Sequence, residues 1–427
     1  MIVGLSLAGA LLLAISAPLI VRLLAPGLDE EGAALAAGLI RIMAFILPAG
    51  LFLATCRSLL NAGRRFGIPA ALTMLPRVFV LCTLLLLLPP MGVSSLAWAL
   101  LFGSALAGLL IFLVLVKVLP AVRRESAADG RPLQRESSGR LWPSILNHGY
   151  GQGIIWVDLA FATLTGAGGL SVLEYGTRLM TIFPALLSTS VITVMYTEYS
   201  HRSLEEGGGS LQRSIVRTAR GGLFLILPMV GFIAFLGDDI VGLLLHRGAF
   251  DAEAATKTVS VMRLVAPATV FAFLANNLMS GVYADPTAPR LKIIGTTISV
   301  SLAGRIVFIF LLIGPMGIGG VALGGSIAAL CMLAVLYTML RRRWGGFLKR
   351  SDARSVAGIS VSTAGSILLI YWLREWFGVA PDAGGLTQLA ALAGYAAAGG
   401  VCYLGLAVLL RVREIADAKD ILLRRRS

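Results

Sequence analysis

The feature that most constrains this chain is a series of long apolar stretches, each able to cross the hydrocarbon core of a bilayer. Hydrophobic residues make up 57% of the 427-residue sequence and charged residues only 14%, which leaves more apolar surface than a soluble domain buries. Backbone groups in lipid must form hydrogen bonds within their own segment, so runs of this length predict helices and not barrel strands. The expected fold class is all-α, a polytopic membrane protein with about twelve transmembrane helices.

The charges in the loops alternate along the chain. Most of the 36 lysines and arginines lie in every second loop, for example in 117–140 and 341–354. Because short basic loops remain in the cytoplasm, both termini are expected there. The net charge of +14 is therefore a topology signal. It indicates membrane lipids as partners, and we expect no binding of nucleic acid. The predicted spans are 3–24, 34–60, 69–88, 93–119, 142–166, 170–197, 215–236, 256–282, 292–313, 317–340, 355–376 and 387–410.

An internal repeat organises these spans into two lobes. The segment from Arg41 is similar to the segment from Arg263, at an offset of about 222 residues, which predicts two parallel-repeat lobes. The spans 142–166 and 170–197 of the second copy have no partner in the first copy, so we expect either an upstream start or a shortened form. The predicted domains are an N-terminal lobe of four helices (1–122), a cytoplasmic linker (123–140), a C-terminal lobe of six helices (141–343), a terminal helix pair (352–411) and a basic cytoplasmic tail (412–427).

The span 170–197 carries a positive charge where lipid is expected. Arg178 lies about a third of the way into this apolar stretch, and Glu174 precedes it by four residues, close to one helical turn. Two interpretations stay open. Arg178 either reaches the nearer membrane surface or closes a structural ion pair, or it points into a cavity that receives an anion.

The span 142–166 is polar on two faces. Asn147 and Asp158 are about three turns apart and share one face, whereas Gln152 lies on another. Asp158 and Arg178 lie on consecutive helices, both toward the outer side, so we interpret them as a candidate ion pair. That pair is either structural or a switch for which substrate or a cation competes.

Three arginines, Arg41, Arg178 and Arg263, lie in the outward thirds of their spans. If their side chains face inward, they predict an electropositive region there. The sequence contains no phosphate-binding loop, no Ser-His-Asp context and no metal-ligand spacing. We therefore expect no enzymatic activity, no catalytic or metal site and no cofactor. Glycines in 319–330 lie within a span and predict close helix packing. The candidate substrate-binding residues are Arg178, Asp158, Gln152, Asn147, Arg41 and Arg263.

Several short segments match one family in order. They are APG at 25–27, NAGRRFGIPA at 61–70, Gln152 and Asp158, EYGTRLMTIFP at 174–184, HRGAF at 246–250 and VYADPTAPRLK at 282–292. In these segments the chain resembles the MurJ/MviN family, the lipid II flippases of the MOP exporter superfamily. The resemblance implies two six-helix lobes and a final helix pair, and this chain matches from the family's third helix onward, without the first two.

The resemblance also implies a site. The family's lobes enclose a cationic cavity lined by the arginine of a tyrosine-alanine-x-arginine-leucine motif, which corresponds to Arg178, with Gly176 in place of the alanine. The family's last two helices, here 355–376 and 387–410, are associated with a groove for the lipid tail. The implied location is the bacterial cytoplasmic (inner) membrane.

The function implied is the flipping of undecaprenyl-diphosphate-linked peptidoglycan precursor, lipid II, by alternating access around the cationic cavity. The implied partners are the lipid-linked glycan, membrane lipids and a coupling cation. Two alternatives stay open: a flippase for exopolysaccharide or O-antigen units, and a degenerate membrane scaffold that does not transport.

Overall fold

The structure is a computed structural model in which the described residues are 2–62, 71–86, 92–128, 138–166, 168–185, 208–245, 250–285, 287–346, 349–378 and 384–415. These residues form helices and short connections, and no strand occurs among them. The main helices are α1 (Ile2–Leu24), α2 (Glu30–Ala44), α3 (Ile46–Ala62), α4 (Leu75–Leu86), α5 (Ser94–Ala128), α6 (Ser138–Thr163), α7 (169–185), α8 (Gly208–Phe235), α9 (Gly237–Leu245), α10 (Ala252–Ala284), α11 (Arg290–Met316), α12 (Ile318–Trp344), α13 (Arg350–Phe377) and α14 (Gly385–Leu409).

The helices overlap the predicted spans. Within the described ranges, nine helical segments are long and apolar enough to cross a membrane. The other three predicted spans, 69–88, 142–166 and 170–197, overlap α4, α6 and α7. The prediction of an all-α, polytopic membrane protein is thus confirmed.

Two local features differ from the predicted pattern. The span predicted at 34–60 is interrupted at Phe45, where α2 ends and α3 begins. Pro48, in the first turn of α3, cannot donate a backbone hydrogen bond to Ala44, so the sequence favours a new helix start here.

The second difference is α9, in a stretch predicted as a loop. Asp238 and Asp239 occupy its first turn, where the helix dipole favours negative charge.

The chain divides into two compact units, 1–138 and 139–427. In the first unit, α5 lies against α3 and α4, and α1 lies against α2 and α3. The predicted linker 123–140 is helical at both ends, because α5 extends to Ala128 and α6 begins at Ser138, while 129–137 lie outside the described residues. The assignment of lobes and helix pair stays a prediction.

The second unit is built around α10 and α12, with α11 paired along α12. Its core includes Met262, Phe273 and Val321, all nearly inaccessible to solvent. Glycines bring α11 and α12 into close contact, as the 319–330 stretch predicts: a Cβ added at Gly324 would lie 2.8 Å from the backbone nitrogen of Ile309. The backbones approach so closely because Gly324 has no side chain.

A buried charge cluster holds the terminal helices to this unit. Arg220 on α8 lies with its Nη1 2.7 Å from Oδ1 of Asp352 and its Nε 3.0 Å from Oε1 of Glu414. Asp352 belongs to the first turn of α13, and Glu414 follows α14. The Tyr403 hydroxyl of α14 also donates to the Phe224 carbonyl of α8, at 2.7 Å. One arginine therefore joins α8 to both ends of the helix pair.

The close α11–α12 contact predicts that Gly324→Ala destabilises the protein. The added methyl group would meet the α11 backbone, and overpacking of this kind typically costs about 1–3 kcal/mol. Thermal unfolding of the purified protein in detergent should show a lower Tm. Gly314→Ala on α11 is the control, because nothing lies within 4 Å of the added Cβ. Equal Tm values for the two variants would contradict the packing account.

Candidate functional site

Helix α7 places one face against α10. Val172 and Met180 are buried on this face, and Gly176 lies between them in sequence, about one turn from each. A Cβ at Gly176 would lie 2.7 Å from Cγ1 of Val261 and 3.0 Å from the carbonyl oxygen of Thr258. Glycine at the family's alanine position therefore has a structural reason: α7 lies closer to α10 than an alanine allows.

The opposite face of α7 carries Arg178. Its Nε donates to Oε1 of Glu174 at 2.5 Å, which is the pairing predicted from the four-residue spacing. Both side chains are exposed, Arg178 by 75% and Glu174 by 55%. An exposed carboxylate is a weak, exchangeable partner, and a phosphate oxygen makes an equally strong charge-assisted bond with arginine. That Arg178 lines a cavity for an anion stays a prediction.

Asp158 is paired with a different arginine from the one suggested by the sequence. Arg305 on α11 donates from Nε to Oδ1 and from Nη2 to Oδ2 of Asp158, both at 2.6 Å. The proposed Asp158–Arg178 pair is thus corrected, because the carboxylate of α6 faces α11 and both of its oxygens are engaged. Both partners are mostly buried, with 15% of Arg305 and 23% of Asp158 exposed.

A glycine makes room for this ion pair. A Cβ at Gly325 of α12 would lie 2.7 Å from Nη2 of Arg305, so the guanidinium rests against the α12 backbone. A second contact joins the same helices, because the hydroxyls of Tyr150 and Ser301 are 2.6 Å apart. Ser301 lies one turn from Arg305 on α11. Together the two contacts fix α6 against α11.

Arg263 on α10 reaches α9. Its Nη2 donates to Oδ2 of Asp238 at 2.7 Å, and its Nε donates to the carbonyl oxygen of Ala234 at 3.3 Å. Arg263 and Asp238 are each about half exposed. The sequence did not indicate this partner, because 234–255 were expected to contain only a span end and a loop.

The remaining candidates are placed in different surroundings. Gln152 is exposed on α6. Asn147 also lies on α6, but its side chain lies outside the described residues. Arg41 is exposed in the last turn of α2, in the first unit, where a cation is favoured by the helix dipole. That the six candidates form one substrate site stays a prediction.

The DPTAPRLK turn forms a polar cluster at the end of α10. Asp285 accepts hydrogen bonds from the Thr287 backbone and hydroxyl, from Nε of Arg343 at 3.2 Å and from Nε1 of Trp344 at 3.3 Å. Burial acts to raise the pKa of Asp285, but these donors outweigh burial and place the pKa below its usual value. The turn is thus fastened to the end of α12 by a carboxylate held in its charged form.

Comparison with known proteins identifies relatives over most of the chain. The sequence model of the family described as "Lipid II flippase MurJ" matches residues 1–381. A protein of Bdellovibrio bacteriovorus, described as a probable lipid II flippase MurJ, is 24% identical over 364 residues, covering 84% of this chain and 67% of the relative. A protein of Thermotoga maritima with the same description is 25% identical over 351 residues, covering 81% and 68%.

Further matches agree with these. The lipid II flippase MurJ of Burkholderia cenocepacia is 25% identical over 371 residues, covering 84% of this chain and 69% of the relative. The solved structure "Lipid II flippase MurJ, inward closed conformation" superimposes with a TM-score of 0.75 at 19% identity, covering 95% of this chain and 80% of that chain. The structural match shows a shared fold. The chain spans about two thirds of the length of these sequence relatives.

The Asp158–Arg305 pair predicts a strong double-mutant coupling. Asp158→Asn or Arg305→Gln alone leaves a mostly buried charge without its partner, which typically costs about 3–5 kcal/mol. The double variant should recover much of the lost Tm, because neither charge remains. The exposed Glu253–Lys257 pair of α10 is the control, and its single variants should change Tm little. Additive losses for Asp158 and Arg305 would contradict the pairing.

The Asp285 cluster predicts a pH-dependent stability term. Because the folded pKa lies below the usual 3.8, the charged carboxylate stabilises the fold above that pH, and the stabilisation is lost as the pH falls through the lower folded value. The Tm difference between wild type and Asp285→Asn should be full at a pH of about 6 and should shrink as the pH falls below the usual Asp pKa. A difference that does not change with pH would show that the charge of Asp285 plays no part.

Proposed function

This chain belongs to the lipid II flippase MurJ family, and we propose that it moves lipid II across the bacterial inner membrane for cell-wall synthesis. The observation that carries the proposal is the family match over residues 1–381. The chain is a multi-pass membrane protein with the helical fold that such a transporter requires. The physical task is to carry a diphosphate and sugars past hydrocarbon while the isoprenoid tail remains in lipid.

We infer a role for Arg178 as a ligand of the diphosphate. Its guanidinium is exposed, it lies on the face of α7 that points away from α10, and its carboxylate partner is also exposed. A diphosphate carries more negative charge than one carboxylate and can accept two parallel hydrogen bonds from arginine. Substrate binding would then exchange Glu174 for phosphate without leaving either charge buried and unpaired.

The other candidate residues are proposed to have different roles. Arg263 is half exposed and contacts Asp238, so it too can exchange a carboxylate for an anion. Arg41 and Gln152 are exposed, and with Asn147 they are proposed to line the same substrate path. Asp158 is proposed to act through Arg305, as a positioning residue that fixes α6, because both of its oxygens are engaged.

The driving force is proposed to be the membrane potential or a coupling cation. Moving one elementary charge through 100 mV is worth roughly 2.3 kcal/mol, which is enough to bias a two-state cycle appreciably. The alternation of basic loops supports the proposal that both termini are cytoplasmic. Alternating access by two parallel-repeat lobes is the proposed mechanism.

Paired variants of α7 test the role of Arg178. In cells depleted of their own lipid II flippase, Arg178→Ala should abolish complementation at normal protein levels, because the cation for the diphosphate is lost. Glu174→Gln breaks the same ion pair but keeps the cation, so it should support growth. Lys257→Ala, which removes an exposed cation of another ion pair, should also support growth.

The outcomes separate the alternatives. Full growth of Arg178→Ala would contradict the substrate role of Arg178. Equal loss from Arg178→Ala and Glu174→Gln would show that the ion pair is structural. Peptidoglycan precursor should accumulate when the chain is depleted, whereas accumulation of a different lipid-linked glycan would overturn lipid II as the substrate.

A further inference from the structure

Helix α7 presents an aromatic ring beside Arg178. Tyr175 precedes Arg178 by three residues, and residues at this spacing are neighbours on a helix surface, with Cβ atoms about 5–6 Å apart. Tyr175 is 43% exposed, whereas Gly176, the next residue, is turned toward α10. The ring of Tyr175 therefore flanks the exposed face of α7 that carries the guanidinium.

A second aromatic residue fixes the orientation of this ring. The ring centroids of Tyr175 and Phe250 are 6.0 Å apart, and the ring planes are inclined at 82°, which is an edge-to-face arrangement that aromatic pairs prefer. Phe250 directly precedes the N-cap of α10 and packs against the buried core of the second unit. An edge-to-face contact covers at most one face of the tyrosine ring. Because Tyr175 is exposed, the other face stays open to a ligand.

The charges beside Tyr175 indicate that the ring borders a polar space. Glu174 and Arg178 are both exposed, and charged side chains in an apolar segment face water or a polar interior, because contact with hydrocarbon is costly. Tyr175 follows Glu174 directly and lies about one turn before Arg178. A ring held in this position suits a ligand that is polar at its edge and apolar on its face.

A sugar ring has this character. Its hydroxyl groups lie around the edge, and its C–H groups form patches on the face that pack against the electron-rich face of an aromatic ring. A bare phosphate offers no such surface. The pairing of an exposed guanidinium with an oriented aromatic ring therefore fits a phosphate that carries a sugar better than it fits a phosphate alone.

We infer that Tyr175 contacts the sugar that is bonded to the diphosphate of the lipid-linked substrate. The inference rests on the proposed transport function, in which Arg178 binds the diphosphate. The first sugar is bonded directly to the diphosphate, so its ring lies beside the phosphates, as the ring of Tyr175 lies beside the guanidinium. Arg178 thus binds the charge, and Tyr175 distinguishes a carrier lipid that is loaded with sugar from the bare carrier diphosphate.

Two ligands with the same tail and diphosphate, with and without the sugar-containing headgroup, test the inference. The affinities of the purified full-length chain for lipid II and for undecaprenyl diphosphate are measured in detergent, and the ratio of the two Kd values is compared between variants. Wild type should bind lipid II more tightly. Tyr175→Leu should reduce this preference by about two- to ten-fold, the range typical of an aromatic contact. Tyr175→Phe keeps the ring and should retain the preference.

Two further variants serve as controls. Arg178→Ala should weaken the binding of both ligands by a similar factor, because both carry the diphosphate. Tyr371→Leu removes a tyrosine of α13 that is 49% exposed and that also contacts a phenylalanine, Phe235, edge to face, with ring centroids 6.5 Å apart. This variant should leave the preference for lipid II unchanged.

Phe250→Leu keeps the tyrosine but removes the ring that orients it. It should also reduce the preference, and it gives a result even if Tyr175→Leu fails to fold. An unchanged preference in Tyr175→Leu, or in Phe250→Leu where Tyr175→Leu does not fold, would overturn the inference. Weaker binding of both ligands by the same factor in Tyr175→Leu would do so too, because it would show that the ring only supports α7.

Failure of the proposed function would look different. Wild type would then bind neither ligand, or Arg178→Ala would bind both as tightly as wild type does, and the role of Tyr175 would fall with that of Arg178. If wild type binds both ligands equally and Arg178→Ala weakens both, the sugar contact alone is overturned and the diphosphate role of Arg178 stands.

Discussion

The second unit depends on one constraint: a charge inside an apolar helix must have a partner or water. Asp158 and Arg305 show how the constraint is met. Their bidentate contact neutralises two charges within otherwise apolar segments, and a mostly buried pair of this kind is costly to break. The pair also determines which helices are neighbours, because α6 must face α11 for the carboxylate and the guanidinium to meet. Arg220 does the same for α8, α13 and the segment after α14.

Glycines make these charge contacts possible. Arg305 fits between α11 and α12 because Gly325 has no side chain, and α7 lies against α10 because Gly176 has none. The second contact has a consequence for Arg178. With Gly176 turned toward α10, Arg178 two residues later must point away from it, which leaves the guanidinium exposed. Close packing on one face of α7 thus presents a cation on the other.

The sequence predicted features that depend on neighbours along the chain and missed those that depend on distant contacts. Hydrophobic length located the nine described segments that are long enough to cross a membrane, and the four-residue spacing predicted the Glu174–Arg178 pair. The partner of Asp158 could not be predicted, because Arg305 lies 147 residues away and meets it only through the packing of α6 on α11. The break at Phe45 had a local signal in Pro48, and α9 had one in its two aspartates. Pro48 lies within a longer apolar span, and the two aspartates lie in a stretch that was predicted as a loop, so neither signal was used.

The central claim is that Arg178 exchanges a carboxylate for the diphosphate of the substrate. An experimental structure of the full-length chain with bound lipid II tests it most directly. The account predicts a phosphate oxygen within hydrogen-bond distance of the Arg178 guanidinium, with Glu174 released from it. Diphosphate bound elsewhere, with the Glu174–Arg178 pair intact, would contradict it.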